Sequence, residues 1–414
     1  MEPLLPDFDR LRERAGGGVL RANELGRHLH PATLDAVAEL LRTINCYYSN
    51  LIEGHDTHPV SIERALMQDY ASDPVRRDLQ TEALAHIAVQ RLIEERLGRE
   101  PAPNVCSTEF LRWVHKEFYS RLPDDLRIVR HPADDREEII EPGALRVFDV
   151  QVGRHVAPDP AELTVLLERF GNVYDPASFA GDPSRAMAVV GAAHHRLLWI
   201  HPFGDGNGRV ARLMTDAYLR WIGVGGHGLW TVSRGLARAR TRYREALSNA
   251  DAPRWNDLDG RGPLSSRGLT AFCEFFIDVC SDQISYMGGV LSIDRLLERL
   301  AEYGKLRAAG MLAPVATTEG DETEVRRSGA GRKPVQWRPE ATRLLRAVVT
   351  QGPLPRGEVR AITALPDRTA RRLVSELVRE GFLTSTSHRA ALAVRFPAHA
   401  ASHIFPGLYA PLGA

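Results

Sequence analysis

The chain has 414 residues, 43% of them hydrophobic, with 53 Lys/Arg against 53 Asp/Glu; that is apolar material for a substantial globular core and length for two or three domains. The formal balance hides an asymmetry: from Arg326 onward 15 Lys/Arg stand against 5 Asp/Glu, leaving 38 against 48 in residues 1–325, so the last segment suits an anionic partner. No apolar run nears a membrane span, the start MEPLLPDFDR carries acids where a secretory signal is basic, and Cys46, Cys106, Cys273 and Cys280 form no CxxC pair, which argues against membrane, secreted, disulfide-framed and zinc-bound classes and for a cytoplasmic, bacterial-type protein with buried free thiols.

Taken in chain order, the pattern predicts a mainly α protein. Leu34, Val37, Leu40, Leu41 and Ile44 recur at helical spacing within residues 33–53, and Gly54 supplies a stop. Residues 145–156, LRVFDVQVGRHV, alternate loosely around Gly153, as a hairpin or extended flap would. Asp182-Pro183 resembles an N-cap followed by a first-turn proline, opening a helix to Ile200. His201 then sits at or just past its end, because Pro202 blocks simple continuation. Arg209 to Ile222 is helical again. Residues 315–335 are polar and glycine-containing, as a linker is. Beyond them, helices are expected around Leu344–Val349, around Val359 and Ile362, and from Asp367, followed by two strands in GFLTSTSHRAALAVRF. The segments drawn are 1–105, 106–314, the linker 315–335, and 336–414.

Between the helices ending at Ile200 and starting near Arg209 lies HPFGDGNGRVAR, His201 to Arg212. A helix N-terminus leaves N–H groups unpaired and carries partial positive charge, and glycines let phosphate oxygens approach it. Arg209 and Arg212, three residues apart on one helix, would grip phosphate through forked hydrogen bonds. Asp205 would hold a Mg²⁺ that bridges phosphates, and His201 would take the proton from an attacking hydroxyl. A Walker A loop would need a lysine and a preceding strand, a dinucleotide fingerprint needs GxGxxG after a strand, and an EF-hand needs a longer ligand series. The other reading is an ordinary surface loop after a histidine-capped helix.

The twelve residues resemble the HxFx[DE]GNGRxxR signature of the Fic (filamentation induced by cAMP) family at every fixed position: His201, Phe203, Asp205, Gly206, Asn207, Gly208, Arg209 and Arg212. The resemblance implies an all-helical Fic core, here at 106–314, that transfers AMP from ATP to a Tyr, Thr or Ser hydroxyl of a protein target, self-modification included. It implies His201 as general base, Asp205 as the Mg²⁺ ligand, and Arg209 and Arg212 as the phosphate clamp. Gly204, Gly206, Asn207 and Gly208 would cradle the nucleotide's anion, with Phe203 anchoring the loop.

Two further segments resemble the same family. Pro142 to Pro160 is similar to a target-positioning hairpin, with Val150, Gln151, Val152 and Gly153 along an edge that would pair an extended target segment; a packing hairpin is its other reading. Tyr243 and Leu247 resemble a pair beside the nucleotide, although a core tyrosine is equally compatible. SNLIEG, with Ser49, Glu53 and Gly54, matches the [ST]xxxE[GN] inhibitory motif, placed upstream as in members with an N-terminal inhibitory helix. Glu53 would then occupy Arg212, which otherwise holds the γ-phosphate; the bland reading is a surface glutamate before a C-capping glycine. In some relatives the corresponding glutamate helps water attack modified protein, so removal of AMP is an alternative activity.

Three short helices and a hairpin within 336–414 resemble a winged helix-turn-helix domain. Arg368, Arg371, Arg372 and Arg379 lie off the apolar stripe of its third helix, as in a helix that approaches DNA, with His388 and Arg389 on the wing. A DNA-binding regulator with a nucleotide-sensing core is therefore the non-enzymatic alternative. Protein docking or homodimer formation are other uses of such a domain.

Overall fold

The computed structural model describes residues 1–130, 137–312 and 337–410, and among them the protein is mainly α, as expected. The linker predicted at 315–335 lies outside the described residues. The N-terminal helices are α1 (Phe8–Glu24), α2 (Pro31–Glu53), α3 (Pro59–Leu66), α4 (Pro74–Leu97) and α5 (Thr108–Tyr119). Two short antiparallel pairs follow, β1 (Ile128–Arg130) with β2 (Glu137–Ile139) and β3 (Gln151–Val152) with β4 (His155–Val156). Next come α6 (Leu163–Val173), α7 (Pro183–Ile200), α8 (Asn207–Trp221), α9 (Val232–Arg238), α10 (Arg240–Ala250), α11 (Ser266–Val290) and α12 (Ile293–Ala308). The C-terminal part holds α13 (Pro339–Gln351), α14 (Val359–Thr363), α15 (Asp367–Arg379), the pair β5 (Leu383–Thr384) and β6 (Ala393–Val394), and α16 (Ala398–Ile404). No helix among the described residues is long and apolar enough to cross a membrane.

The chain forms two compact units, each assembled from separated stretches: residues 1–24, 45–57 and 81–285 in the first, residues 25–44, 58–80 and 286–414 in the second.

In the first unit α7 is the central element. Every residue from Ala186 to Leu197 is buried, His194, His195 and Arg196 included, and a helix with no exposed face needs neighbours all round. It finds them in α1, α6 and α8. Its start is as predicted, with the Asp182 carboxylate accepting the Arg185 N–H at 3.0 Å ahead of the first-turn Pro183. At its end His201 adopts the left-handed conformation (φ 49°, ψ 60°) and Pro202 stops the helix. Helix α8 begins at Asn207, two residues ahead of the predicted Arg209, entered through Gly206 at φ 78°. All four cysteines are buried free thiols, as expected.

The predicted hairpin is shorter than the alternating pattern. Only Gln151↔Val156 and Val152↔His155 pair, closed by Gly153 at φ 62°. Residues 145–149 stay outside the ladder, where the Arg146 N–H is taken by the Pro202 carbonyl at 3.0 Å.

In the second unit α12 packs on α13, α13 on α14, and α14 on α15. The strand pair joins Leu383 to Val394 and Thr384 to Ala393, two residues a side. Ala370, Leu373, Val374 and Leu377 bury one face of α15, which leaves Arg368, Arg371, Arg372 and Arg379 exposed. Just beyond α15, buried Glu380 accepts from Arg307 Nη2 at 3.0 Å and from Trp337 Nε1 at 2.9 Å, and the Arg307 guanidinium lies 5.4 Å from the Trp337 ring centre. Removing one member of a buried pair strands the other's charge. Glu380→Ala is therefore expected to destabilise this unit by about 3–5 kcal/mol, measured by chemical denaturation, with Arg307→Met/Glu380→Leu recovering most of the loss.

Candidate active site

The backbone from His201 to Gly208 is held from below by one face of α5. Phe203 is fully buried, and its ring stacks on His115 at 4.1 Å between centroids; His115 in turn stacks on Tyr119 at 4.4 Å. The His115 Nδ1 accepts the Gly143 N–H at 2.8 Å, so the ring proton sits on Nε2, which donates to the Asp205 carbonyl at 3.3 Å. Tyr119 donates its hydroxyl to Asp205 Oδ2 at 2.6 Å. Gly206 lies directly over that ring, where a Cβ would come within 2.7 Å of it. Positive φ and close approach both require glycine there.

This support aims Asp205 and Arg209. Arg209 Nη2 donates to Asp205 Oδ2 at 3.1 Å, its Nη1 lies 3.7 Å from Glu82 Oε2, and its guanidinium covers the Phe118 ring at 4.8 Å. Burial pushes the Asp205 carboxyl up, but Arg209 and the Tyr119 hydroxyl outweigh it and hold the group below its ordinary value. Among the described residues the buried Nε and Nη1 of Arg209 make no hydrogen bond. Buried donors without a hydrogen bond beside the first turn of α8 fit an incoming anion. Among the described residues no three His, Cys, Asp or Glu side chains cluster as a metal cage. The donor set still fits magnesium, which takes one or two carboxylates and otherwise phosphate and water; Asp205 is the residue that would hold it, since Tyr119 and Arg209 occupy only Oδ2.

His201 is oriented by the last turn of α7. Its Nδ1 lies 3.3 Å from the Leu198 carbonyl; a carbonyl only accepts, so Nδ1 carries the proton and Nε2 keeps its lone pair. Burial lowers the imidazole to about 4, so it is neutral near pH 7. A proton acceptor is thus presented at the start of the loop that turns into α8.

The structure brings Ser49 and Glu53 together with Arg212. Arg212 Nε donates to Ser49 Oγ at 2.9 Å, and Nη2 to the Ser49 carbonyl at 3.2 Å and to Glu53 Oε1 at 2.5 Å. Burial raises the Glu53 carboxyl and Arg212 outweighs that, leaving it below its ordinary value and ionised. Glu53 Oε1 occupies the space a Gly208 Cβ would need, so this glycine admits the carboxylate to the first turn of α8. Gly54, at φ 101°, ends α2 immediately afterwards, and Arg240 Nη2 donates to the Ile52 carbonyl at 2.9 Å.

Two of the expected ligands make contacts within the protein. Tyr243 is 3% exposed and donates its hydroxyl to His194 Nε2 at 2.6 Å. That imidazole, with its Nδ1–H on Thr215 Oγ1 at 2.7 Å, needs a buried donor on its other side. The Asn207 side chain bonds within its own loop. Its Oδ1 accepts the Phe203 N–H at 3.0 Å and its Nδ2 donates to the Phe203 carbonyl at 2.8 Å, clasping the loop shut. Phe203 is fully buried, and Gly204 is half-buried on the loop. Gln151, Val152 and Gly153 are exposed on the hairpin and Val150 is half-buried at its base.

Sequence reasoning missed His115, Tyr119, Glu82 and Arg146. A histidine and tyrosine four apart on an otherwise apolar face, Phe110, Leu111, Val114 and Phe118, were the available signal for the first two. Glu82 also accepts from His55 Nδ1 at 2.7 Å, and this bond raises the His55 imidazole above its ordinary value.

Residues 105–219 match the Fic/DOC family. Over 111 residues the chain is 38% identical to the protein adenylyltransferase Fic of Culex quinquefasciatus, covering 27% of this chain and 21% of that protein. It is 29% identical over 179 residues to the protein of the same name from Nematostella vectensis, covering 43% and 37%. The chain thus spans well under half the length of these curated relatives. Its fold is similar to that of residues 134–508 of Fic-1 from C. elegans, with a TM-score of 0.52 and 17% identity over 69% of this chain and 74% of that one.

Burial holds several imidazoles of this unit low, among them His86 and His194 at about 3 and His115 and His201 at about 4. Their unfolded counterparts take up protons first as pH falls below 6.5, so the stability they lend is complete above that value and is lost on descent toward 4 and 3. The melting temperature is expected to fall steadily from pH 7 to pH 4.5, and His115→Gln, whose amide can serve the same two partners, is expected to flatten the slope.

Proposed function

We propose, with the Fic match at residues 105–219 as premise, that this chain is a protein adenylyltransferase that moves AMP from ATP to a hydroxyl side chain of a protein, and that Glu53 holds it back. The observation that carries the reading is the His201 Nε2 lone pair at the head of a loop leading to an anion-receptive helix start, whose Arg212 already grips a carboxylate. In the reaction the target oxygen attacks the α-phosphorus of ATP. The new O–P bond forms as the bond to the β-phosphate oxygen breaks, pyrophosphate leaves with its electron pair, and the hydroxyl proton passes to His201 Nε2 and on to water.

Positioning and charge neutralisation supply the rest. Arg209, whose buried Nε and Nη1 make no hydrogen bond among the described residues, and the first-turn N–H groups of α8 would receive the phosphates. Magnesium, when bound at Asp205, would offset charge between phosphate oxygens. Arg212 would meet the terminal phosphate only when Glu53 withdraws, since the carboxylate adds like charge on the same guanidinium. The hairpin edge at Val152 and Gly153 would pair an extended target segment through main-chain bonds, which leaves the sequence around the modified hydroxyl free to vary.

The test is incorporation of α-labelled ATP with magnesium into the protein itself and into lysate. Glu53→Gly is expected to raise labelling at least about tenfold, because removing the carboxylate frees a charge-assisted contact. Adding His201→Ala to it is expected to cut the rate by about 10²- to 10⁴-fold with nucleotide affinity largely kept. Equal labelling in all three proteins would end the proposal.

For the second unit, the exposed Arg368, Arg371, Arg372 and Arg379 on α15 support contact with DNA by a winged helix-turn-helix domain. Affinity for duplex DNA should fall with rising salt, and Arg371→Ala should reduce the slope of log K against log[salt] by about 1. A mobility shift indifferent to both would leave this helix a solvated face.

A further inference from the structure

Arg146 is 4% exposed, yet all of its side-chain hydrogen bonds among the described residues go to main-chain carbonyls. Its Nε donates to the His201 carbonyl at 2.7 Å, and its Nη1 to the Phe148 carbonyl at 2.9 Å. Its Nη2 donates to the Pro158 carbonyl at 2.6 Å and, at 3.4 Å, to that of Ile200. Phe148 precedes the first strand of the hairpin and Pro158 follows the second, so one guanidinium closes the hairpin's base. Ile200 and His201 are the last carbonyls of α7, the end of a helix that favours a cation. The same group therefore ties the hairpin to the residue that presents the imidazole.

The hairpin needs such a tie. Its ladder is two residues a side, extended only by the Ala157 N–H to the Val150 carbonyl at 3.1 Å, and its tip residues 151–154 are exposed. A ribbon this short has little stability of its own. Its other side-chain tie to α7 is His155, whose Nε2 lies 2.8 Å from the Trp199 carbonyl.

We infer that Arg146 is a positioning residue that fixes the separation between the target-pairing edge of the hairpin and His201 Nε2. Its catalytic consequence rests on the AMP-transfer reading; its structural consequence does not. Three donor directions in one rigid plane are needed to reach these carbonyls, and a lysine ammonium on a flexible stem cannot hold them together. Loss of the fork leaves the nucleotide cradle of α8 and α5 intact and lets the hairpin drift, which matters because small misplacement of a reacting group costs about a hundredfold in rate.

The experiment compares the full chain with Arg146→Lys by hydrogen exchange across residues 147–158, by binding of a non-hydrolysable ATP analogue, and by initial rates with α-labelled ATP in the Glu53→Gly background. Expected are at least about tenfold faster exchange of the Ala157 amide, analogue affinity within about twofold, and labelling reduced about tenfold or more. Wild-type protection of the hairpin in the folded variant overturns the inference. So does a loosened hairpin that labels at the parent rate. If the parent labels nothing, the AMP-transfer reading fails and the exchange measurement still decides what Arg146 holds. Should Arg146→Lys not fold, Arg146→Gln, which keeps one donor group of the fork, is put through the same comparison with the same two overturning results.

Discussion

The hydrogen bond from the Tyr119 hydroxyl to Asp205 fixes more of this protein than its single contact suggests. With one carboxylate oxygen committed to a buried phenol and to Arg209, the Asp205 side chain has little freedom, and the peptide that follows must pass over the phenol ring without a Cβ. That forces the left-handed turn at Gly206, which sets the direction in which α8 starts. Phe203, His115 and Tyr119 form a stack beneath the loop, so its geometry is inherited from α5 and not from the glycines themselves. Glycine permits the path; the aromatic stack selects it.

On that support two arginines have different surroundings. Arg209 is enclosed by Asp205, Glu82 and the Phe118 ring, which compensate the charge of its guanidinium in the folded chain. Arg212, one turn on, is satisfied by Ser49 and Glu53 from the end of α2. A buried guanidinium without an anion is costly, so Arg212 needs a carboxylate or a substitute for one. Removal of Glu53 would create a vacancy for negative charge at that point, and a polyphosphate is a chemically suitable replacement.

Much of this was legible in the chain because the signals are local. Asp182, Pro183, His201 and Pro202 delimit α7 by capping chemistry and by proline's missing N–H, and Gly54 closes α2 by its backbone freedom. Glu53 against Arg212 followed from a motif in each. What escaped depends on contacts between residues far apart in sequence, the Tyr119 contact with Asp205 and the Arg146 fork onto the end of α7, and on side-chain geometry such as the Asn207 clasp on Phe203. Tyr243 was ambiguous for the same reason, since only the position of His194 reveals that its hydroxyl is already engaged. The hairpin is shorter than its alternation where the Arg146 N–H on one limb finds the Pro202 carbonyl outside it.

The carboxylate on Arg212 belongs to the same polypeptide as the arginine, and under the proposed reading that changes how it competes with nucleotide. A tethered group acts at an effective concentration set by geometry, typically at least millimolar, and dissolved nucleotide does not dilute it. Saturating ligand is consequently a weak lever on this contact. Whatever frays the last turn of α2, from Ser49 to Glu53, acts on it directly, because unwinding a single turn withdraws the serine hydroxyl, the main-chain carbonyl and the carboxylate together.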